Sequence, residues 1–305
     1  MSNIIALVWD FDKTLVDGYM QDPIFEEYGV NAKEFWEEVN ALPKKYLEEQ
    51  GVLVNPDTIY LNQFIRYAKE GKFKGLTNKK LQEMGQKLKF YKGVPDIFDA
   101  TTNIVKNNEK YDMHDIKVEH YIVSTGMKRI IEGSAVMSHV MHIWGCDLIE
   151  GKDKDGDPCI AEIGYTIDNT SKTRALFEIN KGTCFPDSKI KVNDKIPEEH
   201  RRVHFINMVY VADGPSDVPA FSVVNKNGGA TFAIYPKGNT KAFKQVERLR
   251  EDGRINMFAE ADYSEGTTAR MWLCSKVEEF AERIVSDEKA RIEKYAGRSP
   301  SHLTD

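Results

Sequence analysis

The chain has 305 residues, 41% of them hydrophobic and 30% charged, with a net charge of −6 from 42 Lys+Arg against 48 Asp+Glu. With a mean hydropathy of −0.49, these values exclude a mostly disordered chain and describe an ordinary globular one, large enough for one big domain or two modest ones. The acidic balance argues against a general nucleic-acid binder, and no apolar run approaches the roughly 18 residues of a membrane span, so neither nucleic acid nor membrane is expected as a partner. The chain shows no basic leader with a cleavage site, so no signal peptide is expected. Cys146, Cys159, Cys184 and Cys274 form no CxxC pair and stand beside no histidines at zinc spacing. That usage fits packing thiols in a reduced, cytoplasmic setting.

Residues 4–9 are a short, continuous apolar run, as expected of a strand covered on both faces in a parallel sheet. The run ends abruptly in Asp10-Phe11-Asp12-Lys13-Thr14. From about residue 17 to 92 the pattern changes. Phe25, Phe35, Trp36, Val39, Leu42 and Tyr46, then Tyr60, Phe64 and Tyr67, then Leu81, Met84 and Leu88, recur at spacings near three and four. This predicts an all-helical module inserted after the first strand. A helix with Pro95 in its first turn is expected to about residue 106, then a strand over 117–123 ending in Ser124-Thr125-Gly126, then a helix over 127–139. Strands are expected over 146–150 and 160–165, joined by a turn with Asp155-Gly156 at its tightest point. A helix over 172–180 precedes a polar, irregular excursion at 182–204. Residues 204–211 read as another buried strand, ending in Ala212-Asp213-Gly214-Pro215-Ser216-Asp217; a helix to 224 and a strand over 231–235 follow. The stretch 286–305 reads as a polar, fraying tail. Strands alternating with helices predict an α/β fold: a doubly wound, Rossmann-like parallel sheet made of 1–16 and 93–305, with 17–92 as an inserted helical cap.

In an open parallel sheet ligands bind at the carboxyl ends of the strands. Asp10 and Asp12, Ser124, and Asp213 and Asp217 follow such ends, and Lys172 opens a helix, so all are expected to converge although distant in sequence. Crowded carboxylates repel one another, and desolvation disfavours each. A hard cation such as Mg²⁺, which prefers a few carboxylates plus water and phosphate oxygens, relieves this. An ammonium and a helix N-terminus add positive potential for an anion, so the set suits a phosphoryl group.

Several of these residues also have simpler readings. Ser124 could be a plain helix cap, with Thr125 one residue away as the alternative hydroxyl. Lys128 is the rival of Lys172, since it too follows a strand-end motif. Asp153, Asp155 and Asp157 lack the glycine and glutamate of an EF-hand loop, Pro158 and Gly164 standing there instead, and read as a turn. His200 and His204 have no third ligand nearby and are given no metal role. Trp36, Phe64 and Tyr67 read as core of the insert rather than a surface for substrate, while Tyr19, Met20 and Arg66 are candidates to face the site.

The same residues resemble the haloacid dehalogenase (HAD) superfamily. Asp10-Phe11-Asp12-Lys13-Thr14-Leu15 looks like its DxDxT motif. Residues 122–126, Ile-Val-Ser-Thr-Gly, look like its second motif, Lys172 followed by Leu176 like the third, and Asp213-Gly214-Pro215-Ser216-Asp217 like the fourth, with Ala212 in place of the usual glycine. The position of the insert resembles the phosphoserine-phosphatase-like subgroup. The resemblance implies a Mg²⁺-dependent phosphomonoesterase acting on a small phosphorylated metabolite. In that scheme Asp10 is the nucleophile that becomes an aspartyl-phosphate, and Asp12 is the acid and base. Ser124, with Thr125 and Gly126, binds the phosphoryl oxygens, and Lys172 neutralises charge. Asp10, Asp12 (through its backbone carbonyl) and Asp213 hold the metal, and Asp217 supports the metal or steadies Lys172. A phosphotransferase would use the same residues, and a non-catalytic binding protein could retain the fold. A dehalogenase would have no use for Asp12 as an acid.

Overall fold

The computed structural model describes residues 2–296. β1 (Ile4–Trp9) is followed by four helices, α1 (Asp22–Tyr28), α2 (Ala32–Gln50), α3 (Ile59–Lys69) and α4 (Asn78–Gly85). Then come α5 (Asp96–Lys106), α6 (Glu109–Asp112), β2 (Lys117–Met127), α7 (Lys128–Glu132), β3 (His142–Lys152), β4 (Pro158–Tyr165) and α8 (Lys172–Lys181). The chain closes with β5 (Met208–Ala212), α9 (Val218–Lys226), β6 (Ala230–Tyr235), α10 (Thr240–Glu251), β7 (Met257–Glu260) and α11 (Thr268–Ala296). The seven strands form one sheet in the order β4-β3-β2-β1-β5-β6-β7, parallel except for β4, which pairs antiparallel with β3.

The uninterrupted apolar run of β1 has a direct cause. Ile5, Leu7 and Trp9 point into one buried layer, with Phe98 of α5 and Val277 and Phe280 of α11. Ala6 and Val8 point into the other, with Leu176 of α8, Phe221 of α9 and Val246 of α10. Both faces of the strand are covered, so no polar residue alternates along it. The fold is therefore the expected doubly wound α/β sheet.

The inserted helices have their own aromatic centre. Phe35 lies 5.0 Å from Phe25 and 4.8 Å from Phe64, ring centroid to centroid, and Phe64 stacks on Phe73 at 5.2 Å. Helix α4 meets α7 backbone to backbone: a Cβ on Gly85 would lie 2.1 Å from the Ile130 carbonyl oxygen, and one on Gly133 would lie 1.9 Å from that of Gln82. Only glycine permits that approach. The chain leaves and rejoins the sheet layer through paired segments, with Asp17 N–H donating to Lys89 O and Tyr91 N–H to Leu15 O.

Several boundaries differ from the sequence reading. The strand expected to stop at 123 runs on to Met127, and the helix expected over 127–139 is only α7, followed by a 3-10 turn at Met137–His139. The close approach of Gly133 to α4 ends that helix early. The strand expected from 146 begins at His142 and reaches Lys152. The strand expected from 204 starts at Met208, because Phe205–Asn207 forms a 3-10 turn. The tail expected from 286 continues α11 as helix to Ala296, where Glu288 meets His114 at 2.6 Å, while the rest of that expectation, 297–305, lies outside the described residues. The Asp153 carboxylate accepts the backbone N–H groups of Asp155 and Asp157, which closes the β3–β4 turn. Segment 182–204 is irregular apart from one 3-10 turn, Glu198–His200, and is anchored by buried Val203 and by Arg202, which pairs with Glu119. Cys146 and Cys159 are buried and all four thiols are free.

Candidate active site

The sheet register brings the three motif-bearing strand ends level. Trp9 pairs with Ile122 on one side and with Val211 on the other, so Asp10 emerges between the ends of β2 and β5. Its N–H donates to Val211 O at 2.8 Å. Asp10 is only 6% exposed. One carboxylate oxygen accepts from Lys172 Nζ at 2.8 Å and the other from the Thr14 hydroxyl at 3.2 Å.

Lys172 is the first residue of α8, placed there by a turn in which the Asp168 carboxylate accepts the N–H groups of Thr170 and Ser171. It is 1% exposed, and its ammonium also donates to Asp217 Oδ1 at 2.7 Å. The fully buried Asp217 is held in turn by the Tyr210 hydroxyl at 2.5 Å on Oδ1 and by the Ser216 hydroxyl at 2.9 Å on Oδ2. Oxygens of Asp10, Asp213 and Asp217 lie within 4.8 Å of one another. Lys128, the rival cation, pairs instead with Glu132 and Asp147, each at 3.8 Å.

The electrostatics follow from crowding and burial. Asp10 is pushed up to about 6 by burial, against the pull of Lys172. Burial, then Asp10 and Asp217, push Asp213 up to about 7. Asp12 is also raised, by burial and by Asp10. For Lys172 burial works against the ammonium, but Asp10 and Asp217 outweigh it and the pKa is raised. The cluster thus holds several carboxylates against one buried cation and is short of positive charge. All its donors are oxygens, which suits a hard divalent ion such as Mg²⁺. Asp10 and Asp213 would hold such an ion. Asp217 has both oxygens engaged, so it fits the alternative role, steadying Lys172.

Asp12 sits beside this cluster, with Oδ1 accepting the Met20 N–H at 2.8 Å. The Ser124 hydroxyl, 2% exposed, accepts the Gly126 N–H at 3.0 Å, leaving its own proton free to donate. The Thr125 carbonyl accepts from the Tyr60 hydroxyl at 2.8 Å, so the inserted helices touch the β2 loop directly. The Met20 side chain packs directly on Gly126, where a Cβ would lie 2.1 Å from Met20 Cε. A cavity of about 140 Å³ opens between these loops and the insert, lined in part by Asp12, Tyr19, Trp36, Tyr60, Thr125 and Gly126. Phe64 and Tyr67 are core, as expected, but Trp36 reaches the cavity and is not purely core. Met20 and Tyr19 do face the site, whereas Arg66 lines a separate groove with Tyr46 and Glu70. Sequence reasoning missed Thr14, Tyr210 and Tyr60. Thr14 was legible as the threonine of DxDxT; the two tyrosines carry no local signal, because only the fold brings them to Asp217 and Thr125.

The fold is similar to that of haloacid dehalogenase (HAD) family hydrolases. It superposes on a HAD family hydrolase from Salmonella enterica serovar Typhi with a TM-score of 0.53 and 12% identity, covering 90% of this chain and 71% of that one. A phospho-aspartyl intermediate analogue of phosphoserine phosphatase gives a TM-score of 0.48 at 17% identity, covering 88% of this chain and 97% of that one. No family model matches the sequence. The chain belongs to one family with an uncharacterized protein of Borreliella burgdorferi, to which it is 37% identical over 288 residues, 90% of this chain and 97% of that protein.

Proposed function

We propose that the protein hydrolyses phosphate monoesters of small metabolites through an aspartyl-phosphate on Asp10, with Mg²⁺ as cofactor. The observation that carries this reading is the buried Lys172 ammonium held between Asp10 and Asp217, with Asp213 in the same cluster. In the first half-reaction an Asp10 oxygen attacks phosphorus and the ester oxygen departs with its electron pair, taking a proton from Asp12. Burial and the neighbouring Asp10 raise the pKa of Asp12, which favours the protonated form for that step. In the second, Asp12 takes a proton from water, the resulting hydroxide attacks the phosphorus, and inorganic phosphate leaves, restoring the Asp10 carboxylate. Ser124 donates to a phosphoryl oxygen and Lys172 balances the charge on Asp10 and on the transferring group. Asp10, Asp213 and the Asp12 carbonyl would hold Mg²⁺, which would supply charge neutralisation for the phosphoryl oxygens. Helices α1–α4 act as a cap that excludes bulk water and surrounds the departing alcohol.

The test is turnover of an aryl phosphate with Mg²⁺ by wild type and by Asp10→Asn. The expected result is release of inorganic phosphate by wild type and a loss of at least about a thousandfold in the variant, with unchanged circular dichroism. Retention of most activity in Asp10→Asn refutes the mechanism. A new ester in place of free phosphate would make the enzyme a phosphotransferase.

A further inference from the structure

We infer that the substrate is the phosphate ester of a small amino alcohol: its departing group carries a protonated amine and no second acidic group. This rests on the phosphatase reading above and adds the identity of the group that leaves.

Asp12 is the proton donor to the ester oxygen, and it lines the cavity of about 140 Å³ between the insert and the β2 loop. Asp10, Asp213 and Lys172 do not line it. The cavity therefore lies on the departing side of the phosphoryl group. The space is open to solvent on one side and accommodates an alcohol of a few heavy atoms.

Its walls define the chemistry. Trp36 is flanked by Tyr19 at 6.0 Å and Tyr60 at 5.9 Å between ring centroids, so three rings form a continuous wall. Aromatic faces attract cations through the negative potential above the ring. Asp57 is a second carboxylate on the lining, and no lysine, arginine or histidine joins it. Lys13, close by in sequence, has its ammonium engaged by the hydroxyl and ring of Tyr19 and is not part of the lining. With Lys13 already on Tyr19, Trp36 and Tyr60 are the ring faces left for a cation, and a substrate carboxylate or second phosphate would be desolvated against two carboxylates with no basic side chain on the lining itself.

The test compares three esters with Mg²⁺: O-phosphoethanolamine, its hydroxyl counterpart 2-hydroxyethyl phosphate, and O-phosphoserine, which differs from the first by one carboxylate. The expected kcat/KM for O-phosphoethanolamine exceeds each of the others at least tenfold. Asp57→Asn is expected to narrow the ethanolamine-to-hydroxyethyl ratio at least fivefold. Calorimetric binding to the Asp10→Asn variant, which needs no turnover, should show the same order. Equal handling of the three esters, or a preference for O-phosphoserine, overturns the inference and leaves the phosphatase reading standing provided an aryl phosphate is hydrolysed. If neither the aryl phosphate nor any of the three is hydrolysed and none binds, both fail together.

Discussion

Replacing Lys172 by methionine removes the one cation of the buried cluster at nearly constant volume. The ammonium lies 2.8 Å from Asp10 and 2.7 Å from Asp217, and it is 1% exposed. Breaking a buried ion pair by deleting one partner costs about 3–5 kcal/mol, because the remaining charge stays buried. With an unfolding entropy of about 2.1 cal/mol/K per residue, 305 residues give about 0.64 kcal/mol/K, so the thermal midpoint should fall by about 5–8 °C in metal-free buffer. The double variant Lys172→Met with Asp10→Asn should be less destabilised than the sum of the two, by about 1–3 kcal/mol, since the second change removes a charge the first left stranded. Turnover in the single variant should fall by about 10²–10³, the usual effect of losing one buried donor to a reacting oxyanion. Calorimetric melts and aryl phosphate kinetics measure both. A midpoint within about 1 °C of wild type, strict additivity, or turnover within threefold would each refute the role given to Lys172.

Saturating Mg²⁺ at about a hundred times its Kd should stabilise the native state by about 2.7 kcal/mol and raise the midpoint by about 4 °C; EDTA should reverse this, and Asp213→Asn should abolish the response. His120, buried beneath β1, accepts from Trp9 Nε1 at 3.2 Å through Nδ1, and burial lowers its pKa to about 3 from 6.5. The folded state keeps this ring neutral where the unfolded chain would protonate it, so its contribution is complete above pH 6.5 and declines as pH falls. The loss is about 1.4 kcal/mol per unit, or about 2 kcal/mol at pH 5. Urea melts at pH 7.5 and pH 5 should show a shallower decline for His120→Asn, and equal declines would sink the assignment. Tyr60→Phe removes the hydroxyl that holds the Thr125 carbonyl. It should slow alkyl phosphate esters about tenfold and p-nitrophenyl phosphate much less, because a poor leaving group depends most on a correctly placed Asp12; equal slowing would assign Tyr60 a purely structural part.

The centre of the sheet was legible because β1, β2 and β5 had to be apolar on both faces and each ended in a polar motif. The meeting of Asp10 with Asp213 and Asp217 was legible for the same reason: a parallel sheet turns strand ends into neighbours, whatever their separation in sequence, and Lys172 joins them from the start of α8. What failed were boundaries set by contacts between distant elements. Residues 133–139 carry a helical pattern, yet the backbone of Gly133 meets that of α4 and the helix stops. Residues 286–296 are polar on every side and look like a tail, but Glu282 reaches Lys110 and Tyr111, and Glu288 reaches His114, which holds α11 to α6 and the loop after it. Neither contact has a signature within ten residues of where it acts.

The link between insert and chemistry was illegible for a related reason, and it bears on how the site works. Asp12 is oriented by the N–H of Met20, whose side chain packs on Gly126 and whose sulfur accepts the Met127 N–H at 3.1 Å. Tyr60 of α3 holds the Thr125 carbonyl. The segment entering the insert thus touches both the proton donor and the loop proposed to bind phosphate, and the paired segments at Asp17–Lys89 and Leu15–Tyr91 are the covalent connection about which the helices would swing. Movement of the insert away from the sheet would break the Met20 and Tyr60 contacts together, so under the proposed mechanism Asp12 would be aimed as an acid only with both contacts made. Protonation of the departing alcohol and exclusion of water would then be one event, with recognition of the alcohol assigned by the proposal to the insert and the handling of phosphorus to the strand ends.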